Sequence, residues 1–472
     1  MSARVCIVGA GSSGITACQV MQARGVDFDC FEVGSEIGGN WRYDNDNGMS
    51  SAYQSLHINT SRQLMEYAAR PMPDDLPDYP SHWQIARYFD DFVDHFGFRD
   101  RIRFRTEVVK VAPVSTGSTT GSRSTTGSRS TTGSSSTTGG RWEVTVRPVS
   151  AGPTDASEPE TLTYDHVIVA NGHHWNPRWP EPAFPGSEDF PGLQLHAHHY
   201  RTPDPLVGKR VLVLGIGNSA TDIAVESSRV AASTDLAMRR GAHIVPKYMF
   251  GIPTDHLTES PLARGPFRVQ QLGLAALLRL TQGRQPSYGL PKPDHRVLEA
   301  HPTVSQELLN RLGHGDITVR PNIDRFEGSK VFFVDGSAGE YDVVVYCTGY
   351  KVSFPFLDSA VVSSADNHID LYRRVVDPEH PGLFFLGLIQ PIGAIMPLAE
   401  AQAEWVADLV TGVGALPSKA EMHRQIAGFD SHLRKRYVSS KRHTIEVDFH
   451  AYLVEIRKER KAARRRQAVA QS

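Results

Sequence analysis

Gly9, Gly11 and Gly14 stand in the spacing G-x-G-x-x-G, and Gly215, Gly217 and Ala220 repeat it with alanine in the third place. A backbone bare of side chains can present several N–H groups to one diphosphate. It does so best where a helix begins and its unpaired amides and dipole point outward. In each set the first glycine makes the turn and the second lets a pyrophosphate approach. The third residue lets helix and strand pack closely. Asn218 and Ser219 open the second helix. Charged groups complete both sets. Glu32 follows Phe28-Asp29-Cys30-Phe31, close to the offset of about 20 residues at which a carboxylate accepts hydrogen bonds from an adenosine ribose. Arg239 and Arg240 follow Asp235-Leu236-Ala237-Met238 at the matching position. A carboxylate there would repel a 2′-phosphate, whereas a guanidinium binds it bidentately. The first set therefore predicts an unphosphorylated nucleotide such as FAD and the second predicts NADPH. The competing reading treats these charges as solvated strand ends.

The elements that must position these groups are legible around them. Val5-Cys6-Ile7-Val8 and Val211-Leu212-Val213-Leu214 are short, continuous apolar runs ahead of each turn, as suits parallel strands covered on both faces. Tyr164 to Gly172 and Tyr341 to Gly349 parallel one another as the closing buried strands of a duplicated unit. The predicted fold is α/β, with two dinucleotide-binding Rossmann-like domains in a glutathione-reductase-like arrangement. Residues 1–172 and 351–472 would bind FAD, and residues 173–350 would bind NADPH.

Composition narrows the function further. The 472 residues are 40% hydrophobic and carry a net charge of −2, so nothing draws the whole chain to nucleic acid or an anionic membrane. No apolar stretch is long enough to span a bilayer. The four cysteines form no C-x-x-C pair, which argues against a disulfide reductase, and a reduced, cytoplasmic protein is expected. Cys6, Cys30 and Cys347 read as small hydrophobes in core strands. Residues 115–140 repeat Ser-Thr-Thr-Gly between two alternating segments, Thr106 to Val111 and Trp142 to Val146, and read as an expanded, flexible hairpin loop. Arg457 to Lys461, with Arg464, Arg465 and Arg466, reads as a solvated helix end. Binding of nucleic acid or membrane is its alternative.

Between the two units, Phe190, Gly192, His196 and Tyr200 have the spacing F-x-G-x-x-x-H-x-x-x-Y. With Gly38-Gly39-Asn40-Trp41, Asn59-Thr60-Ser61, Gly217 to Asp222, Cys347-Thr348-Gly349-Tyr350 and the segment Pro381 to Pro397, the chain resembles the flavin-containing monooxygenases, class B flavoprotein monooxygenases. Its departures are Ala220 for glycine and Cys347 for alanine.

The resemblance implies an N,N-dimethylaniline monooxygenase-like enzyme. NADPH would reduce FAD, O2 would be captured as a C4a-hydroperoxide, and a small-molecule soft nucleophile (amine nitrogen or thioether sulfur) would be oxygenated. It implies cofactor contacts at Gly39, Trp41 and Gln390 and a catalytic role for Asn59, whose amide would steady the transferring oxygen. An Asx-turn is the competing reading of Asn59. His196 is read either as a link between the units or as a satisfied structural histidine, and Phe190, Gly192 and Tyr200 as shaping the connection. Asp222 is expected in a helix's first turn. No metal is expected, since His173-His174 and His198-His199 are adjacent pairs without zinc-type spacing. A Baeyer–Villiger ketone monooxygenase stays open, although its fingerprint ends in tryptophan and proline where this chain has Tyr200-Arg201. A non-catalytic FAD/NADPH redox sensor is the third reading. A homodimer is left open.

Overall fold

The computed structural model describes residues 3–114, 140–149, 158–259, 265–436 and 444–472. The Ser-Thr-Thr-Gly repeat, apart from its last residue, lies outside them. Two five-stranded parallel sheets organise the chain. The first runs, in spatial order, Leu383–Phe385, His166–Val169, Arg4–Val8, Asp27–Phe31 and Ile102–Arg103. The second runs Thr318–Arg320, Ser233–Ala237, Arg210–Leu214, Val343–Tyr346 and Leu193–His196. Past the leading Arg4 and Arg210 their central strands are apolar, because both faces are covered. Val5, Ile7, Val211 and Val213 are fully buried.

Each parallel sheet has a three-stranded antiparallel meander inserted just before its closing strand. One comprises Thr106–Pro113, Trp142–Pro148 and Glu160–Tyr164, and the other Ile323–Glu327, Lys330–Phe333 and Ala338–Glu340. The duplication seen in the sequence is thus one of topology. Cys347 lies just past the strand Val343–Tyr346, not within it, and is a partly buried residue packed against the core.

After Lys351 the chain returns to the first sheet. Leu383–Phe385 adds its edge strand, and the helix Met396–Val410 packs, almost wholly buried, between the helices Ser12–Ala23 and Phe449–Gln471. The helix His82–Phe96 is closed at one end by a Ser81–Gln84 capping box and at the other by Gly97 in the left-handed region, φ +68°.

The basic run near the C-terminus differs from its reading as a solvated helix end at two of its residues. Arg460 and Arg464 both donate to the carboxylate of Asp408, whose side chain is fully buried, and Arg24 donates to it as well. Three guanidiniums share one buried anion. Arg460 and Arg464 therefore anchor the last helix internally, while Arg457, Lys458, Lys461 and Arg465 are exposed, as a solvated helix end would be.

Candidate active site

The first glycine turn joins the strand Arg4–Val8 to the helix Ser12–Ala23. Gly9 has φ +97°, and a Cβ there would lie 2.8 Å from the Ala170 carbonyl oxygen. A Cβ on Gly14 would sit 1.8 Å from the Gly9 oxygen, so only glycine lets the helix close onto the turn. At Gly11 the nearest atom to such a Cβ is the Gly39 Cα at 3.7 Å, so the protein leaves that side open. Gly38 donates to the Ala10 oxygen, which seats the loop carrying Gly39 and Trp41 over the turn.

Glu32 ends the second strand and is buried. One carboxylate oxygen accepts the Ala10 N–H at 2.8 Å, and the other accepts the Gly34 N–H at 2.8 Å and the Asn47 Nδ2–H at 3.2 Å. Burial raises its pKa and the two backbone donors oppose that rise. A carboxylate has about four acceptor positions, so roughly one remains for a ribose hydroxyl. The residues present fit an unphosphorylated nucleotide.

The second turn repeats this geometry. Gly215 has φ +133°, and a Cβ there would lie 2.7 Å from the Cys347 oxygen. Ala220 is fully buried behind the turn. Asn218 accepts the Val304 N–H at 2.8 Å through Oδ1, and Thr303 donates to the Ile216 oxygen at 2.7 Å, bracing the turn from outside. Arg239 and Arg240 leave the neighbouring strand with neither guanidinium hydrogen-bonded or ion-paired among the described residues. Arg240 acts only at longer range, on the Asp294 carboxyl. Two unengaged guanidiniums at this position fit a 2′-phosphate.

One cavity of about 1570 Å³ connects the two turns. Gly9, Gly11, Glu32, Gly39, Trp41 and Gln390 border it at the first turn. Gly215, Gly217, Asn218, Ser219, Arg239 and Arg240 border it at the second, with Asn59 and His196 also on its wall. Gly14, Phe190, Gly192 and Tyr200 do not reach it. A Cβ on Gly192 would come within 2.3 Å of the Asp342 oxygen and 2.6 Å of the Phe190 ring, and Phe190 packs edge-on against Phe326. Tyr200 is buried and donates to Glu226 at 2.7 Å. These three are packing residues of the connection.

His196 accepts the His198 N–H through Nδ1 at 3.0 Å, which places its own proton on Nε2, and burial pushes its pKa down to about 4. The connection is tied to the first unit by His198 against the Gly48 carbonyl, by Arg201 donating to the Ser50 oxygen, and by Gln54 donating to the Arg201 oxygen.

Asp222 lies beyond the first turn of the helix Asn218–Val230, contrary to expectation, so the helix dipole is not what holds it. Its carboxylate accepts the Tyr53 hydroxyl from across the cleft. Burial pushes its pKa up to about 6, against Tyr53 and the more distant Lys247 ammonium. His301 Nδ1 lies 2.9 Å from Oε1 of the buried Glu446, linking the cavity wall beside the second turn to the strand Glu446–Asp448. No local motif announces Tyr53, Lys247 or the His301–Glu446 pair, because their partners stand more than a hundred residues away. His368, Asp370 and Asp430 also converge near the cavity, but Arg374 already engages Asp430.

Two glycine turns facing one cleft, a carboxylate at one strand end and a guanidinium pair at the other define a two-dinucleotide oxidoreductase. The chain belongs to the flavin-binding monooxygenase-like family, whose model matches residues 2–464. It is 36% identical to flavin-containing monooxygenase 5 of Oryctolagus cuniculus over 463 residues, spanning 96% of this chain and 82% of that one. It is 32% identical to dimethylaniline monooxygenase [N-oxide-forming] 2 of the same species, over 97% of this chain and 82% of that one. Among solved structures it is similar in fold to S-allyl-L-cysteine S-oxygenase from Allium sativum, with TM-score 0.69, 24% identity, and coverage of 98% of this chain and 89% of that one. The chain is thus an NADPH-dependent flavin monooxygenase with FAD and NADPH as cofactors. Among the described residues no helix is long and apolar enough to cross a membrane.

Proposed function

We propose that this enzyme uses NADPH and O2 to oxygenate soft nucleophiles, amine nitrogen or thioether sulfur, of small molecules by the flavin C4a route that the sequence resemblance implies. The observation carrying the proposal is the single cavity that joins both turns with Asn59 on its wall. When bound, the flavin supplies the redox and oxygen-activating chemistry. Residues 1–172 and 351–472 would bind it, with the first-turn amides on the diphosphate and Glu32 on a ribose hydroxyl. Residues 173–350 would bind NADPH, with Arg239 and Arg240 on its 2′-phosphate. Asn59 would donate its amide N–H groups to the oxygen being transferred, and the cleft around it would keep water out.

The test is a panel of tertiary amines, thioethers and ketones, scored by oxygenated product per NADPH consumed. N-oxide or S-oxide formation at near-stoichiometric yield supports the reading. Ester or lactone from the ketones alone would replace it with a Baeyer–Villiger assignment, and NADPH consumption without any oxygenated product would refute it.

A further inference from the structure

Asn59 sits in a short loop that neither unit holds by itself. The first unit fixes it through the Ile58 N–H donated to the Pro80 oxygen and the His82 N–H donated to the Leu56 oxygen. The second unit reaches across the cleft to the residues on either side of Asn59. Lys247 donates through Nζ to the Ile58 carbonyl at 3.0 Å. The Ser61 N–H is donated to Asp255 at 2.6 Å, and His256 Nε2 lies 3.1 Å from the Ser61 hydroxyl.

Lys247 is itself held on several sides. Its ammonium stands 4.9 Å over the Tyr79 ring, and the Tyr79 hydroxyl donates back to the Lys247 carbonyl at 2.6 Å. The Asp222 carboxylate provides a compensating charge at longer range, and burial lowers the lysine's pKa against it. Asp222 belongs to the helix that starts at the second glycine turn, and it also receives the Tyr53 hydroxyl from the first unit. The second nucleotide turn is therefore linked to the peptide group between Ile58 and Asn59 by the charge of Asp222, acting at longer range on Lys247, and by the hydrogen bond that Lys247 makes. Lys247 does not border the cavity.

We propose that Lys247 is a positioning residue for Asn59: its grip on the Ile58 carbonyl sets the direction of the Asn59 amide and makes that direction depend on docking of the second unit. The proposal rests on the catalytic reading of Asn59 given above. A lysine suits the task because its ammonium is a strong donor on a long stem that can cross a cleft. Docking of the second unit would then be felt at the oxygen-transfer site as a fixed amide.

The test uses the flavin-loaded enzyme and the variants Lys247→Met, which keeps the stem and loses the donor, and Lys247→Arg, which restores one. Hydrogen exchange at the amides of residues 58–61 is the direct readout. Losing one charge-assisted hydrogen bond should speed it by roughly ten- to a hundredfold in Lys247→Met, with Lys247→Arg close to the parent. The rate of flavin reduction by NADPH should stay within about twofold, because the phosphate contacts are untouched. The share of NADPH diverted to hydrogen peroxide should rise in step with the exchange. Lys247→Leu, which also lacks a donor, replaces Lys247→Met where the latter fails to retain flavin.

Unchanged exchange at 58–61 would overturn the proposal outright. Faster exchange with normal coupling would also overturn it, provided that Asn59→Leu is itself uncoupled. If Asn59→Leu couples normally as well, the catalytic reading of Asn59 is what has failed.

Discussion

Replacing Gly11 and Gly14 with alanine, one at a time, separates two tasks that a glycine motif merges. At Gly14 the new methyl carbon would stand 1.8 Å from the Gly9 oxygen and 2.9 Å from its carbon. Ordinary contact begins near 3.4 Å, so the helix Ser12–Ala23 must retreat by about 1.5 Å from a backbone that cannot yield. Overpacking of this kind costs about 1–3 kcal/mol and more where both partners are main chain. Gly11 differs. Its backbone angles, φ −74° and ψ −172°, are open to alanine, and the nearest atom to the added carbon lies 3.7 Å away. Folding stability should therefore change by no more than about 0.5 kcal/mol. The methyl does project into the cavity where a diphosphate would approach, and a loss of at least about tenfold in FAD affinity is expected, equivalent to about 1.4 kcal/mol. Urea unfolding without added flavin, followed by a fluorescence titration with FAD, reads the two effects separately. Parent-like stability in Gly14→Ala, or parent-like FAD affinity in Gly11→Ala, would refute the reasoning.

Arg239→Ala combined with Arg240→Ala should raise the KM for NADPH by roughly ten- to a hundredfold and leave NADH nearly unaffected, since a charge-assisted phosphate contact contributes about 1.5–3 kcal/mol; equal losses for both coenzymes would remove the phosphate assignment. Asn59→Leu should bind FAD and accept hydride normally yet release most of its reducing equivalents as hydrogen peroxide, measurable with a peroxidase-coupled dye; tight coupling would reduce Asn59 to a turn residue. Burial pushes the His166 pKa down to about 4, so the unfolded chain binds the extra proton and stability is lost as pH falls from about 6.5 to 4. His166→Gln should flatten the stability–pH slope in that window by about 1.2 kcal/mol per unit, and an unchanged slope in urea midpoints would contradict it. Val114 donates to the Arg141 oxygen, and Pro113 pairs with Trp142, so replacing residues 115–139 by a short turn should leave melting temperature and turnover unchanged; a large loss of activity with flavin retained would give the repeat a function.

What the sequence disclosed was local in character. The apolar runs Val5 to Val8 and Val211 to Leu214, and the glycines behind them, are contiguous, and their burial follows from adjacent residues alone. The alternation in Thr106 to Val111 and Trp142 to Val146 marked two strands of one meander for the same reason. What escaped depends on partners distant in the chain. Arg460 and Arg464 look solvated in a basic run, because nothing nearby reveals that Asp408 is buried beneath them. Asp222 stands just past the first helical turn expected for it, and its meaning comes from Tyr53, 169 residues earlier. Lys247 belongs to no motif at all. Its significance lies in a carbonyl, a group that every residue possesses and that composition therefore cannot single out.

The strand Leu383–Phe385, which joins the first parallel sheet beside His166–Val169, has a consequence for how the molecule comes into being. A ribosome delivers Arg4–Val8 first, but that strand's sheet gains its edge only after some 380 residues have followed, and the helix that covers it later still. The second parallel sheet needs nothing beyond residues 193–346 and can form while residues 347–472 are still being made. The unit begun first is thus the one completed last. Until then the open edge at His166–Val169 and the face of Ser12–Ala23 that the helix Met396–Val410 later covers stay exposed, and those surfaces are where the nascent chain is most open to aggregation.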